Sequence, residues 1–165
     1  MKTFTLMLLS GIIVWQVSLL HNMFVPFPKP IIVVQEDPVK QVLKALGCPI
    51  TKLDDITQAV KVASSQTRIN PYLISVLMCT ESSFNEKAIS DKHYKGIMQT
   101  PTATFKYYDV DILHGARILQ EKLRISKGNL LEAVSLYKGG SNQLATCQAR
   151  KTLVLYYKIV GKING

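Results

Sequence analysis

At 165 residues and 47% hydrophobic content, the chain holds one domain's worth of sequence with enough apolar mass for its own core. Twenty Lys plus Arg against 11 Asp plus Glu give a formal charge of +9, which favours an anionic partner such as a membrane surface or a cell-wall polymer. The basic residues are scattered singly, without a like-charge block and without regular aromatic interleaving, which argues against nucleic acid as that partner.

In chain order, residues 1–24 come first. Lys2 is followed by an uncharged run from Phe4 to Leu20. At about 1.5 Å per residue this run reaches roughly 26 Å, just short of a ~30 Å hydrocarbon core, and Met23 to Phe27 extend it. A cleaved signal needs small residues ahead of its cleavage site, and Val17-Ser18-Leu19-Leu20-His21 has no such pair. The segment therefore fits an uncleaved membrane anchor better than a signal peptide. Lys2 on one side and Lys29 and Lys40 on the other leave its orientation open. Residues 25–38 carry Pro26, Pro28, Pro30 and Pro38, and alternating prolines favour a stiff extended spacer. Within it, Ile31 to Val34 fit a short strand equally well.

Residues 39–165 read as one mostly α domain. Val39, Val42, Leu43 and Leu46 form a short amphipathic stripe that stops at Gly47. Thr51 and Asp54 stand at capping-box spacing before Ile56, Val60 and Ala63. Asn70 is a good N-cap and Pro71 loses nothing at the first helical position, so a helix is predicted to run from there to Glu81. Residues 85–108 lack periodicity and read as a long structured loop. Asp111 is expected to cap a helix carrying Ile112, Gly115, Ala116, Leu119 and Leu123. Asn129 starts another that stops at Gly139-Gly140, and a last helix spans about Gln143 to Ile159.

The residue of most chemical interest is Glu81. Ile74, Leu77 and Met78 recur at helical spacing, and Glu81 continues their stripe. A carboxylate on an apolar face is costly to ionise, so it can hold a proton near neutral pH and deliver it as a general acid. The plain alternative is a glutamate that ends its helix and turns to solvent.

Glu81-Ser82-Ser83-Phe84-Asn85, then Ala88-Ile89-Ser90, then Gly96-Ile97-Met98-Gln99 resemble the lytic transglycosylase family, relatives of goose-type lysozyme. That family has Glu-Ser-x-Phe-Asn, Ala-Val-Ser and Gly-Leu-Met-Gln at the same separation. Asp111 to Leu119 is similar to its Asn-Ile-x-x-Gly-Ala-x-Tyr-Leu, and Ala133 to Gly140 to its Ala-Leu-Ala-Ala-Tyr-Asn-Ala-Gly. Tyr156-Tyr157 with Val160 sits where the family has a Tyr-Val pair. The resemblance covers about Asp54 to Gly165 and implies a lysozyme-like α fold with a groove for peptidoglycan.

The resemblance implies a role for each matched residue. Glu81 is the single acid, which protonates the bond between N-acetylmuramic acid and N-acetylglucosamine. It then takes a proton from the C6 hydroxyl as a 1,6-anhydro ring closes. Tyr137 orients that acid, Met98 and Gln99 line the groove, Ser90 contacts substrate, and Ser82 and Tyr156 give structural support. The structural alternatives are Tyr137 as a core aromatic and Met98 as a gap filler. Lys138 departs from the family, which has asparagine there. It can pair either with Glu81 or with lactyl or peptide carboxylates of the wall, and the second is expected, because a cation on the acid hinders proton donation.

Glycosidases usually use two carboxylates. Here Asp109 and Asp111 are expected at a helix start, Glu121 and Glu132 on polar faces, and Glu86 and Asp91 in the loop, so none reads as a partner for Glu81. Cys48, Cys79 and Cys147 are odd in number, so at least one is unpaired, and Cys48 with Cys147 fits either a bridge or free thiols. No cofactor is expected, and these cysteines with His93 and His114 lack metal-ligand spacing. The expectation is a membrane-anchored or secreted wall-cleaving enzyme of a secretion, conjugation or phage-entry assembly. A hydrolytic lysozyme and a weakly active wall-binding component are the alternatives.

Overall fold

The computed structural model describes residues 36–104 and 107–164. The expected anchor at 1–24 and nearly all of the proline-rich spacer lie outside them. Among the described residues no helix is long and apolar enough to cross a membrane.

From Glu36 onward the chain forms one compact helical unit. Its elements are α1 (Pro38–Ala45), a 3-10 turn (Ile50–Lys52), α2 (Leu53–Thr67), α3 (Pro71–Ser82), α4 (Tyr108–Ile125), α5 (Leu130–Tyr137) and α6 (Gln143–Asn164). The mostly α reading holds, and the described residues contain no strand beyond the isolated bridges Ile89–Lys95 and Lys95–Thr100.

Helix starts follow local chemistry where a side chain is free to cap. Asp37 accepts from Val39 N at 2.9 Å, Asn70 from Tyr72 N at 2.9 Å, and Asn129 from Glu132 N at 3.1 Å. Two expected caps are corrected. The 3-10 turn runs straight into α2, so Lys52 stands at the N-cap and no side chain caps that helix. Helix α4 starts at Tyr108, which puts Asp111 inside its first turn, 2% exposed, with Oδ1 accepting from Thr104 N at 2.9 Å. A carboxylate there still suits the positive end of the helix dipole.

Helix α3 is the axis of the unit, packing on α1, α2 and α6. The sequence predicted one apolar stripe, whereas Leu73 through Met78 are all buried. A helix buried nearly all round is a core helix, and it holds Glu81 at its end on a rigid support. Helix α4 packs on α2, α5 packs on α4, and α6 closes over α3 and α5. Phe84, Ile97 and Met98 from the loop after α3 enter the same core. The last helix runs to Asn164, beyond the expected Ile159, since Ile159 is itself buried against Val42 and Val76.

All three cysteines are free, so Cys48 and Cys147 do not bridge. Burial pushes the Cys48 thiol up to about 11, which leaves it unreactive at neutral pH.

Candidate active site

Glu81 lies in the last turn of α3, and directly after that helix the chain reverses abruptly. Ser83 and Phe84 both take left-handed backbone, φ 51° and 64°. Two such residues in a row cost energy unless the surroundings hold them. Here Ser83 N bonds the Cys79 carbonyl at 3.0 Å and the Phe84 ring is 2% exposed, so capping and core burial offset the strain. The Ser82 hydroxyl donates to the Ile97 carbonyl at 2.8 Å, which ties the returning loop to the helix that carries the acid. This bond reaches 15 positions along the chain.

The loop's own shape rests on Gly96 and Gln99. Gly96 has φ +76°, and a Cβ there would come within 2.8 Å of Ala103 Cβ. Its N–H bonds the Ala88 carbonyl at 2.9 Å. Gln99 Nε2 donates to the Ala88 and Gly96 carbonyls at 3.1 and 2.9 Å, so this amide braces the loop while the residue also lines the cleft.

That cleft, of about 280 Å³, is bounded by Glu81, Ser90 and Gln99 on one part and by Tyr137, Lys138, Asn142 and Gln148 on another. Ser90 Oγ accepts from Tyr94 N at 3.1 Å. Of the sequence-predicted residues the cleft gathers Glu81, Ser90, Gln99, Tyr137 and Lys138.

Met98 does not line it. Its side chain is fully buried against α4 at Gly115, as the gap-filling alternative has it. Tyr156 packs at the core and against the Tyr157 ring, 5.2 Å between centroids. The Tyr137 hydroxyl was expected to orient the acid. It instead donates to the Met98 carbonyl at 2.8 Å. Burial, reinforced by the charge of Glu81, pushes the phenol well above its ordinary range, so it stays a donor. Tyr137 therefore fastens the loop beside the acid.

The surroundings of Glu81 are the largest departure. In place of an apolar setting, its Oε1 accepts from Lys138 Nζ at 2.6 Å. Lys138 Nζ also reaches Thr80 Oγ1 at 3.3 Å, and its side chain is 6% exposed against 16% for Glu81. Lys138 is thus placed on the acid and not out toward a substrate. Lys138 caps α5 at the point where that helix ends beside Glu81, and Gly139 and Gly140 at φ +130° and +112° turn the chain away directly after it.

Sequence reasoning missed Asp91, Lys92, Tyr94, Asn142 and Gln148, which also border the cleft. Asp91 was set aside as a loop residue, but the loop folds it to the mouth. Asn142 had a legible signal as the cap of the last helix, its Oδ1 accepting from Ala145 N at 2.9 Å. No cluster of His, Cys, Asp and Glu suited to a metal occurs among the described residues.

Residues 58–158 match the family model described as Transglycosylase SLT domain. A protein called Transglycosylase, from Enterobacteria phage PRD1, is 33% identical over 94 residues. That likeness covers 52% of this chain and 35% of the phage protein, so the chain spans about a third of the relative's length. No solved structure matches the chain.

Proposed function

The chain belongs to the transglycosylase SLT domain family, and from that membership we propose that it is a peptidoglycan lytic transglycosylase with Glu81 as its acid and base. The observation that carries this reading is Glu81 itself. It is presented to a cleft from the end of a buried helix, with the loop behind it fastened by Ser82, Gln99 and Tyr137.

The reaction runs in two halves. Glu81 gives a proton to the oxygen linking N-acetylmuramic acid to N-acetylglucosamine, the C1–O bond breaks, and the muramoyl acetamido oxygen shares the positive charge at C1. Glu81, now a carboxylate, takes the C6 hydroxyl proton while O6 bonds to C1. The proton count closes, with no water consumed. Ser90, Gln99 and Asn142 supply neutral polar groups for the glycan, and Tyr94, 38% exposed at the mouth, offers an aromatic face for a sugar ring. The uncharged Phe4 to Leu20 run supports tethering to a membrane that faces the wall, and the likeness to a phage protein supports local wall opening by a phage or similar assembly.

Asp91 favours a second reading. It borders the same cleft as Glu81, and a second carboxylate beside the acid is what a hydrolytic lysozyme uses to activate water. Mass spectrometry of muropeptides decides: an anhydro product, one water lighter, is expected, and a reducing-end product would make the enzyme a hydrolase. Glu81→Gln should lower cleavage at least ~10²-fold, the low end for a general acid. Normal clearing of walls by that variant would remove Glu81 from the mechanism.

A further inference from the structure

The Glu81–Lys138 pair raises a problem for the first half of the reaction. Held at 2.6 Å from an ammonium, Glu81 is a hydrogen-bond acceptor, yet the step needs it as a donor. Lys138 is the group that holds the carboxylate, through Oε1. We propose that Lys138 is a specificity-determining residue: its ammonium neutralises Glu81 in the empty cleft and is taken over by a substrate carboxylate, so that only carboxylate-bearing glycan frees the acid. This rests on Glu81 being the acid.

The charge inventory of the cleft supports the exchange. Its charged residues are Glu81, Asp91, Lys92 and Lys138. Asp91 and Lys92 are exposed at the mouth, which leaves Lys138 as the cation in the interior, 6% exposed. A charge buried that far is costly without a partner, so it is not released from Glu81 for nothing in return. Lactyl or peptide carboxylates of a muramoyl strand can replace Glu81 at the ammonium, one charged hydrogen bond for another. An uncharged strand offers no replacement, and its binding does not distinguish the paired from the unpaired state. Lys138 lines the same cleft as Glu81, so a carboxylate on a strand bound there comes up to the ammonium.

The test compares purified cell walls with the same walls after carbodiimide amidation of their carboxyl groups, using the full chain. Wild type should cleave amidated walls with kcat/KM lower by at least about tenfold, the scale of one charge-assisted hydrogen bond. Lys138→Asn should shrink that gap to under about threefold, mainly through a higher kcat on the amidated wall, and Lys138→Arg should keep it. Lys138→Met replaces Lys138→Asn if thermal melting shows that variant unfolded. Equal cleavage of both walls by wild type, or an undiminished gap in the uncharged variant, overturns the proposal. Glu81→Gln separates the two readings: activity in that variant on either wall refutes the acid assignment, whatever Lys138 does.

Discussion

A hydroxyl can serve an acid directly or serve the backbone that surrounds it, and Tyr137 does the second. Its bond to the Met98 carbonyl closes the loop over the core, and that carbonyl has Met98's buried side chain beneath it. Tyr137→Phe should destabilise the protein by about 1–3 kcal/mol, the cost of leaving a buried polar group unpaired. Cleavage should fall with it, because the loop also carries Ser90 and Gln99. Urea denaturation beside a wall-clearing assay checks this. Unchanged stability with lost cleavage would show that the hydroxyl works on Glu81 instead. Glu81 and Tyr137 were both legible as residues, since each sits in a motif at fixed offsets. Their hydrogen-bond partners were not, because Met98 and Lys138 are 39 and 57 positions away and only folding chooses between such distant groups.

Among the elements, the contact of α4 with the Met98 loop decides how the cleft wall is set. Gly115 is the point of closest approach, where an added Cβ would lie 2.7 Å from Met98 Cβ and 2.8 Å from its Cε. In an open helix, glycine to alanine gains up to ~1 kcal/mol. Here the clash involves Cβ as well as the flexible end of the side chain, so the loop itself must move. Overpacking of that kind costs ~1–3 kcal/mol and outweighs the helix gain. Gly115→Ala is expected to lower the melting temperature and to weaken cleavage by shifting Gln99. A melting temperature equal to or above wild type would show that the loop yields without cost. The helices themselves were readable from caps and periodicity, and the resemblance had Gly115 in its motif. What periodicity could not supply was the start of α4 at Tyr108, since no side chain caps it and Asp111 looks like a better cap than it is.

Over the whole molecule, charge pairs tie distant parts of the chain together. Lys52 before α2 pairs with Glu86 in the loop after α3, and Lys61 on α2 pairs with Asp37 before α1. The Lys52 hydrogen bond holds the Glu86 carboxyl below its ordinary range, as Lys61 does for Asp37. A carboxyl lowered in the folded state adds stability that is present above its unfolded value and lost as pH falls through the folded one. Acidification below the ordinary carboxylate range should therefore lower the melting temperature. Glu86→Gln should flatten part of that fall, by no more than ~1 kcal/mol, because both partners are partly exposed. Melting curves from pH 7 down to about pH 3 measure it, and superimposable profiles for variant and wild type would show that the pair contributes nothing.

By itself the sequence determined the helical class and most helix boundaries, and it singled out Glu81 as the candidate acid, because these readings depend on neighbours within a few residues: a cap, a repeat of apolar positions, a motif of fixed spacing. It also placed Ser90, Gln99, Tyr137 and Lys138 at one site through their motifs. Only the tertiary structure decided what those side chains do there. Packing buried Met98 against Gly115, turned the Tyr137 hydroxyl to a carbonyl, brought Asp91 to the cleft, and set Lys138 on Glu81. An ammonium on a long flexible stem has no local signature of its partner, and the partner is chosen by where α5 ends relative to α3.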